Sequence, residues 1–313
     1  MAETSFNKGK KDKRMSLREA VGHFIQPGCS IANSGFGNRA AYGAYYEIIR
    51  QGIKDLTMIV ESDFIGLDVL VGAGCVKRIE GSYFCIGVPG LSANIRRSVE
   101  KGIPHRIEIE DWSNYTSCLR MMAGAFNVPY IPAKSLLGSD IPGSNPKIRV
   151  ERDSVTGEKI ALIPAVHPDV AVIHVQRADK FGNAQIFGPR AHDEDRARAA
   201  KSVIITCEEI VTTEEIQKWP DFTAIPFYCV DAVVEVPYCS HTWPVIGYYV
   251  HDVMFEKDYV EMNMTRDGFL KWLDKYVFSC ADHEEYCRKV GLERLMALSR
   301  LEKKYSLYEF YKR

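Results

Sequence analysis

Strand-like and helix-like segments alternate along most of the chain, which predicts an α/β fold: an open, mostly parallel sheet with helices on both faces. Three observations carry that prediction. Segments such as Val170-Ala171-Val172-Ile173-His174-Val175 are nearly continuous apolar runs, the pattern of strands covered on both faces. Between them lie segments with helical period, opened by capping residues and closed by glycine. Residues 261–313 lose the strand pattern and read as a helical C-terminal extension. No repeat or low-complexity linker divides the chain, so residues 16–260 form one α/β domain, residues 261–313 extend it, and residues 1–15 form a basic, disordered tail.

The elements follow in order. Ser16-Leu17-Arg18-Glu19 is a capping box whose helix buries Ala20, Val21, Phe24 and Ile25 and stops at Pro27-Gly28. A short strand from Cys29 runs into Gly35-Phe36-Gly37, and a helix spans about Ala40–Arg50. Strands follow at Leu56–Val60 and Val76–Phe84, with a helical turn at Leu67–Val71 between them. A basic helix covers Asn94–Lys101, Ile107–Ile109 is strand-like, and Ser113 caps a helix through Phe126. Residues 135–146 read as a Gly/Ser/Pro loop or flap, and Ile148–Val150 with Lys159–Ile163 as a hairpin. Strands at 170–175, 203–207 and 230–236 complete the sheet, with a charged helix at Glu194–Lys201. In the extension Trp272, Val277 and Phe278 share one apolar face, and Leu292, Leu295 and Met296 another.

Composition removes several function classes. A net charge of −1 gives no overall field for nucleic acid or an anionic membrane. The cluster Lys8, Lys10, Lys11, Lys13 and Arg14 reads as a solvated tail. No run approaches the ~20 apolar residues of a membrane span, and no apolar stretch follows the basic N-terminus as in a secretory leader. The nine cysteines show no Cys-x-x-Cys spacing, so they read as reduced core residues of a cytoplasmic protein. No histidines fall at a metal-binding spacing, and both Gly-x-Ser-x-Gly and Gly-x-Gly-x-x-Gly are absent. His174, inside an apolar strand, reads as a hydrogen-bonded core histidine.

On a parallel sheet, ligands collect at the carboxyl ends of strands, here residues 34–39, 61–66, 85–90, 111–114, 137–140 and 179–188. Gly35, Phe36, Gly37, Asn38 and Arg39 form a turn whose N–H groups can face an anion, or that merely joins strand to helix. Glu61 and Asp63 offer acid/base carboxylates, or a solvated loop in which Asp63 caps the next helix. Asn114 places a neutral amide at a helix start, and Gly138-Ser139-Asp140 offers backbone donors. Gly182-Asn183 is a turn that redirects the chain.

Taken together, the ordered segments resemble the α subunits of the family I coenzyme A transferases, nearest to the glutaconate type. The resemblance runs from about Ser16 to Leu301. It is carried by Ser30-Ile31-Ala32-Asn33-Ser34-Gly35-Phe36, by residues 46–57, and by Gly72-Ala73-Gly74-Cys75-Val76-Lys77. Further on it is carried by Val128-Pro129-Tyr130-Ile131-Pro132 with Gly138-Ser139, and by residues 167–176. Asp179 with Gly182-Asn183, Thr206-Cys207-Glu208-Glu209-Ile210, and Val230-Asp231-Ala232-Val233-Val234 complete the set.

The resemblance implies the family fold and transfer of CoA from an acyl-CoA to a free carboxylic acid. The CoA thioester is substrate, and no cofactor is permanently bound. It implies a β-subunit partner, in αβ units assembled as a hetero-tetramer or larger, which carries the nucleophilic glutamate; this chain then holds no catalytic residue and no metal. Its share is substrate binding by Gly35, Phe36, Gly37, Asn38, Arg39, Glu61, Asn114, Gly138 and Ser139. The bulky, acidic Glu61-Ser62-Asp63-Phe64 departs from the glycine-rich pattern of glutaconate-type subunits, and its charge is expected to repel a second substrate carboxylate. A thioester hydrolase or ring-opening C–C hydrolase on the same scaffold is the alternative. Those ring-opening relatives place a glutamate where Asn114 stands. Related folds also serve as sugar-phosphate sensors in regulators, but the residues before Ser16 are too few for a helix-turn-helix.

Overall fold

The computed structural model describes residues 9–87 and 90–305. Its first half alternates regularly: α1 (Leu17–Phe24), β1 (Ser30–Ala32), α2 (Tyr42–Arg50), β2 (Leu56–Asp63), α3 (Ile65–Gly72), β3 (Val76–Phe84), α4 (Ala93–Lys101), β4 (Glu108–Asp111) and α5 (Asn114–Ala125). The Ser16 box caps α1 from both sides, and Ser113 caps α5 with Thr116 in the reciprocal position. An excursion follows: β5 (Tyr130–Ala133), the single turn α6 (Ile141–Ser144), β6 (Arg149–Arg152) and β7 (Lys159–Pro164). The chain then returns through β8 (Val170–Asp179), β9 (Ala184–Gln185), α7 (Asp193–Ala199), β10 (Ser202–Val211), α8 (Thr213–Lys218), β11 (Thr223–Ile225) and β12 (Ala232–Glu235). Helices α9 (Val253–Met262), α10 (Arg266–Leu273), α11 (His283–Val290) and α12 (Leu292–Tyr305) complete the described chain.

The main sheet is open and mostly parallel. Its parallel strands lie in the order β12-β10-β8-β1-β2-β3-β4; β9 adds antiparallel to the outer half of β8, and β11 pairs antiparallel with β9. The Asp179 carboxylate makes that reversal by accepting the N–H groups of Phe181, Gly182 and Asn183, each at 3.0 Å. One core joins α1–α3 and the C-terminal helices to one face of the sheet; a second lies on the other face, with α5 and α7 residues such as Met121 and Ala197. Continuous apolar strands are explained by this double cover.

The hairpin of β6 and β7 is antiparallel, but β5 joins it, making a separate three-stranded sheet in the order β5-β7-β6. Trp112, Leu119, Ala161 and Ile163 form its small core with α5. In the extension Trp272 and Val277 are buried as expected, whereas Phe278 faces solvent. Residues 274–278 form a π-helical turn, whose wider pitch rotates Phe278 off the apolar stripe. Leu295 and Leu298 are the inward residues of α12; Leu292 and Met296 are exposed.

Residues 1–8 of the basic tail lie outside the described residues. Beyond them the chain is tied down: Val233 N–H donates to Lys13 O at 2.9 Å, Met15 N–H donates to Val233 O at 3.1 Å, and Lys13 Nζ donates to Phe227 O at 2.6 Å. Residues 13–15 thus run beside β12 and are not part of a disordered tail.

Asp68 of α3 ties together elements far apart in sequence. Its fully buried carboxylate accepts the Asn94 and Ile95 N–H groups at the start of α4, both at 2.9 Å, and the Asn263 amide at 2.6 Å and Tyr259 hydroxyl at 2.5 Å from α9. Removing it strands several buried donors at once, each costing about 1–3 kcal/mol. Asp68→Ala is therefore expected to lower unfolding free energy by at least about 3 kcal/mol, and Asp68→Asn by less, in urea titrations followed by circular dichroism.

Candidate active site

The turn after β1 can close only with glycine. Gly35 and Gly37 have φ of 70° and 65°, and a Cβ on Gly35 would stand 1.8 Å from Asn38 O. Ser34 Oγ bridges the turn to β8, donating to Arg39 O at 2.6 Å and accepting from His174 N at 3.1 Å. The N–H groups of Phe36, Gly37 and Asn38 meet no protein acceptor among the described residues. The Gly35 N–H does: it donates to Asp193 Oδ1 at 3.1 Å.

Arg39 does not reach toward a ligand. Its side chain is buried, with Nη1 on Asp193 Oδ2 at 2.7 Å and His174 O at 3.0 Å, and Nη2 on Pro189 O at 2.8 Å. A guanidinium so engaged holds the turn in place. The other oxygen of Asp193 pairs with Arg196 at 2.6 Å, and Arg196 in turn pairs with Glu61 at 3.0 Å. Burial acts against the charge on Arg196, but Asp193 and Glu61 outweigh it and hold its pKa above the usual value.

The acidic segment differs from a solvated loop. Strand β2 continues to Asp63, because Ser62 and Asp63 still pair with Tyr83 and Phe84 of β3. Glu61 is therefore a strand residue, neutralised by Arg196. Asp63 is buried and caps α3, accepting the N–H groups of Phe64 at 2.7 Å and Leu67 at 3.2 Å and the Tyr45 hydroxyl at 3.2 Å. Burial pushes its carboxyl up to about 6 against the opposing pull of these bonds. The charge that was expected to repel a second substrate carboxylate is thus paired or sequestered.

Asn114, the first residue of α5, is exposed at this edge. Ser82 Oγ lies within hydrogen-bonding distance of both Asn114 Oδ1 and Glu61 O; with one proton it donates to one of them at a time. Holding Oδ1 leaves the Asn114 amide hydrogens turned outward as donors. The Cys118 thiol donates to Asn114 O at 3.2 Å, and burial beside the Glu61 charge pushes it up to about 12, so it stays protonated. His192 pairs with Asp195 at 3.3 Å, a hydrogen bond that raises its pKa.

The structure links the Gly35–Arg39 turn, Glu61 and Asn114 through Asp193, Arg196 and Ser82. It leaves Gly138 and Ser139 apart. Both are exposed on the loop of the small sheet, and the hydroxyl and N–H of Ser139 return to Leu136 O at 2.8 and 3.0 Å. Of segment 85–90, residues 88 and 89 lie outside the described residues. Sequence reasoning missed Asp193, Arg196 and Ser82; the acid/base run Asp193-Glu194-Asp195-Arg196 was the available signal. It also missed Trp243, whose ring stands 4.2 Å from Phe64 and over Gly37. His174 is the expected core histidine: its ring meets Thr206 at 3.0 Å and Glu208 at 2.9 Å. Among the described residues, no three His, Cys, Asp or Glu side chains converge as a metal site, and no helix is long and apolar enough to cross a membrane.

Two outcomes test this geometry. Asp193→Ala leaves two buried guanidinium groups without their carboxylate, and is expected to cost about 3–5 kcal/mol in chemical denaturation. Asp63 binds its proton more tightly folded than unfolded. Its contribution to stability is therefore fully present below about pH 4 and lost as pH rises through about 6. The stability of the protein relative to Asp63→Asn is expected to fall between pH 4 and 7, by on the order of 3 kcal/mol, in urea titrations across that range.

Residues 14–236 match the family described as Coenzyme A transferase. One chain of the glutaconate CoA-transferase from Acidaminococcus fermentans is 35% identical over 304 residues, covering 91% of this chain and 94% of that one. One chain of the 3-oxoadipate CoA-transferase from Pseudomonas knackmussii is 35% identical over 279 residues, covering 88% and 98%. An uncharacterized protein of Archaeoglobus fulgidus is 44% identical over 294 residues, which are 93% of this chain; the chain spans 65% of that protein's length. The crystal structure of the A. fermentans glutaconate CoA-transferase superposes with a TM-score of 0.84 at 34% identity, covering 91% and 95%. One chain of a cholesterol ring-cleaving hydrolase from Mycobacterium tuberculosis is more distant, 27% identical over 298 residues, covering 90% and 99%. With its parallel sheet, its glycine turn and its end-to-end likeness to chains of two transferases, the protein belongs to the coenzyme A transferase family.

Proposed function

We propose that this chain is the α subunit of an acyl-CoA:carboxylate CoA-transferase and forms half of a pocket shared with a β subunit. One observation carries the proposal: around the glycine turn and Asn114 the described residues offer unpartnered N–H donors, while the carboxylates and thiol beside them are engaged. The N–H groups of residues 36–38 and the Asn114 amide donate to no protein acceptor among the described residues, while Glu61 is paired, Asp63 is buried and Cys118 is held as the thiol. Such fixed dipoles suit the negative charge that develops on a thioester carbonyl under attack. They also help two carboxylates approach without a fixed counter-charge.

In the reaction, a glutamate of the partner attacks the acyl-CoA carbonyl and expels CoA thiolate, leaving an acyl–glutamyl anhydride. The thiolate attacks the glutamyl carbonyl, releasing the first acid and forming a glutamyl–CoA thioester. The acceptor acid then retraces both steps. Thioester is exchanged for thioester, so neither ATP nor a resident cofactor is needed. Arg39 acts here by holding the turn, and Gly138 and Ser139 face the acyl-CoA only if the small sheet lies along the partner. The assembly is built from αβ units, and nine cysteines kept as thiols suit the reducing cytoplasm.

A hydrolase on this scaffold needs a base to activate water. Asn114 is a neutral amide and Glu61 is tied to Arg196, which favours transfer over hydrolysis. The test uses the complex of this chain with its β subunit. After acyl-CoA loading, tritiated borohydride is expected to label only the β subunit, and transfer of CoA into a new thioester is expected to require an acceptor acid. Label on Glu61 or elsewhere in this chain overturns the proposal. So does steady turnover in water, with solvent oxygen entering the released acid.

A further inference from the structure

The strand-end edge has a second side. Ser82 and its neighbour Tyr83 point to opposite faces of the sheet, so the polar groups around Asn114 are backed by an aromatic row. The Tyr83 ring stands 5.8 Å from Phe64, Phe64 4.2 Å from Trp243, and Trp243 stacks at 4.5 Å on His251. Trp243 lies so close over the glycine turn that a Cβ on Gly37 would meet its ring at 3.2 Å. Phe36, at the tip of that turn, and Tyr83 keep 43% and 41% of their surface exposed. The buried Trp243 indole N–H has no acceptor among the described residues.

We propose that this row is the acyl-binding wall, and that it selects acyl groups with a flat aromatic or conjugated body and no distal carboxylate. The proposal rests on the transferase reading above and adds the substrate class. Aromatic rings at this spacing present faces and edges on which a flat group can lie in offset or edge-to-face contact. The charges of the edge point the same way. Arg39 and Arg196 are both engaged by Asp193 and Glu61, so a distal carboxylate on the acyl chain meets no unpaired guanidinium of this network. Binding one would require opening a buried ion pair. Two of the relatives are named for the dicarboxylates glutaconate and 3-oxoadipate, so the substrate class assigned here departs from those names.

The experiment uses the complex with the β subunit, with acetate as acceptor, and phenylacetyl-CoA, hexanoyl-CoA and glutaryl-CoA as donors. Phenylacetyl-CoA is expected to exceed both others in kcat/KM by at least about tenfold. Phe36→Ser and Tyr83→Ser are each expected to lower the phenylacetyl-to-hexanoyl ratio several-fold. A preference for glutaryl-CoA, or a ratio unmoved in both variants, overturns the proposal. Dissociation of either variant complex on size-exclusion chromatography also overturns it, since the rings are then a contact between the two chains. If no donor is exchanged, acetyl-CoA included, the transferase reading itself fails. The wall is then tested by titrating phenylacetyl-CoA against tryptophan fluorescence: saturable quenching that is lost in Trp243→Phe supports it, and no saturable change overturns it.

Discussion

One buried carboxylate organises the candidate site of this protein. Asp193 receives two guanidinium groups and the Gly35 N–H, and through them joins α7 to the ends of β1 and β2 and to the middle of β8. Taking these charges out of water is costly, and attraction offsets the cost only where the geometry is good and the remaining hydrogen-bonding groups are used. Here most are: Arg39 also spends its hydrogens on carbonyls of His174 and Pro189, and Arg196 on that of Ala191. The result is a glycine turn held in one conformation before any ligand arrives. Fixed dipoles stabilise developing charge better than mobile ones, because they need no reorganisation during the reaction.

The same network explains how an acidic segment can border the proposed acyl site. Glu61 and Asp193 are balanced by Arg39 and Arg196, and Asp63 spends its lone pairs on the start of α3. What this network leaves without a protein partner is dipolar, the N–H groups of residues 36–38 and the Asn114 amide, with the aromatic row beside them. On the reading proposed above, that surface suits a carbonyl and a hydrocarbon better than a strong ion, and the reactive group comes from the companion chain.

Local signals carried much of the fold. Apolar strands covered on both faces announce themselves, and the caps at Ser16 and Ser113 are short-range chemistry written within four residues. Strand β5 was not legible, because Pro129 and Pro132 interrupt its pattern and its stability comes from pairing with β7. The site was legible in place but not in detail. The Gly35-Phe36-Gly37 turn marks itself by its glycines. That Arg39 faces inward depends on Asp193, 154 residues away, and that Glu61 is neutralised depends on Arg196, 135 residues away. Ion pairs of that span leave no periodic trace, so charged residues beside a turn look like ligand contacts until the fold shows what they meet.

The small sheet ends in β6, whose residues Arg149, Val150, Glu151 and Arg152 are all exposed along an unpaired border. Open strand borders can template the addition of further chains, which leads to clumping. Here any newcomer would have to strip water from Arg149, Glu151 and Arg152. The first two already form an ion pair at 2.8 Å. This outlying flap can therefore stand in solvent without seeding fibrils.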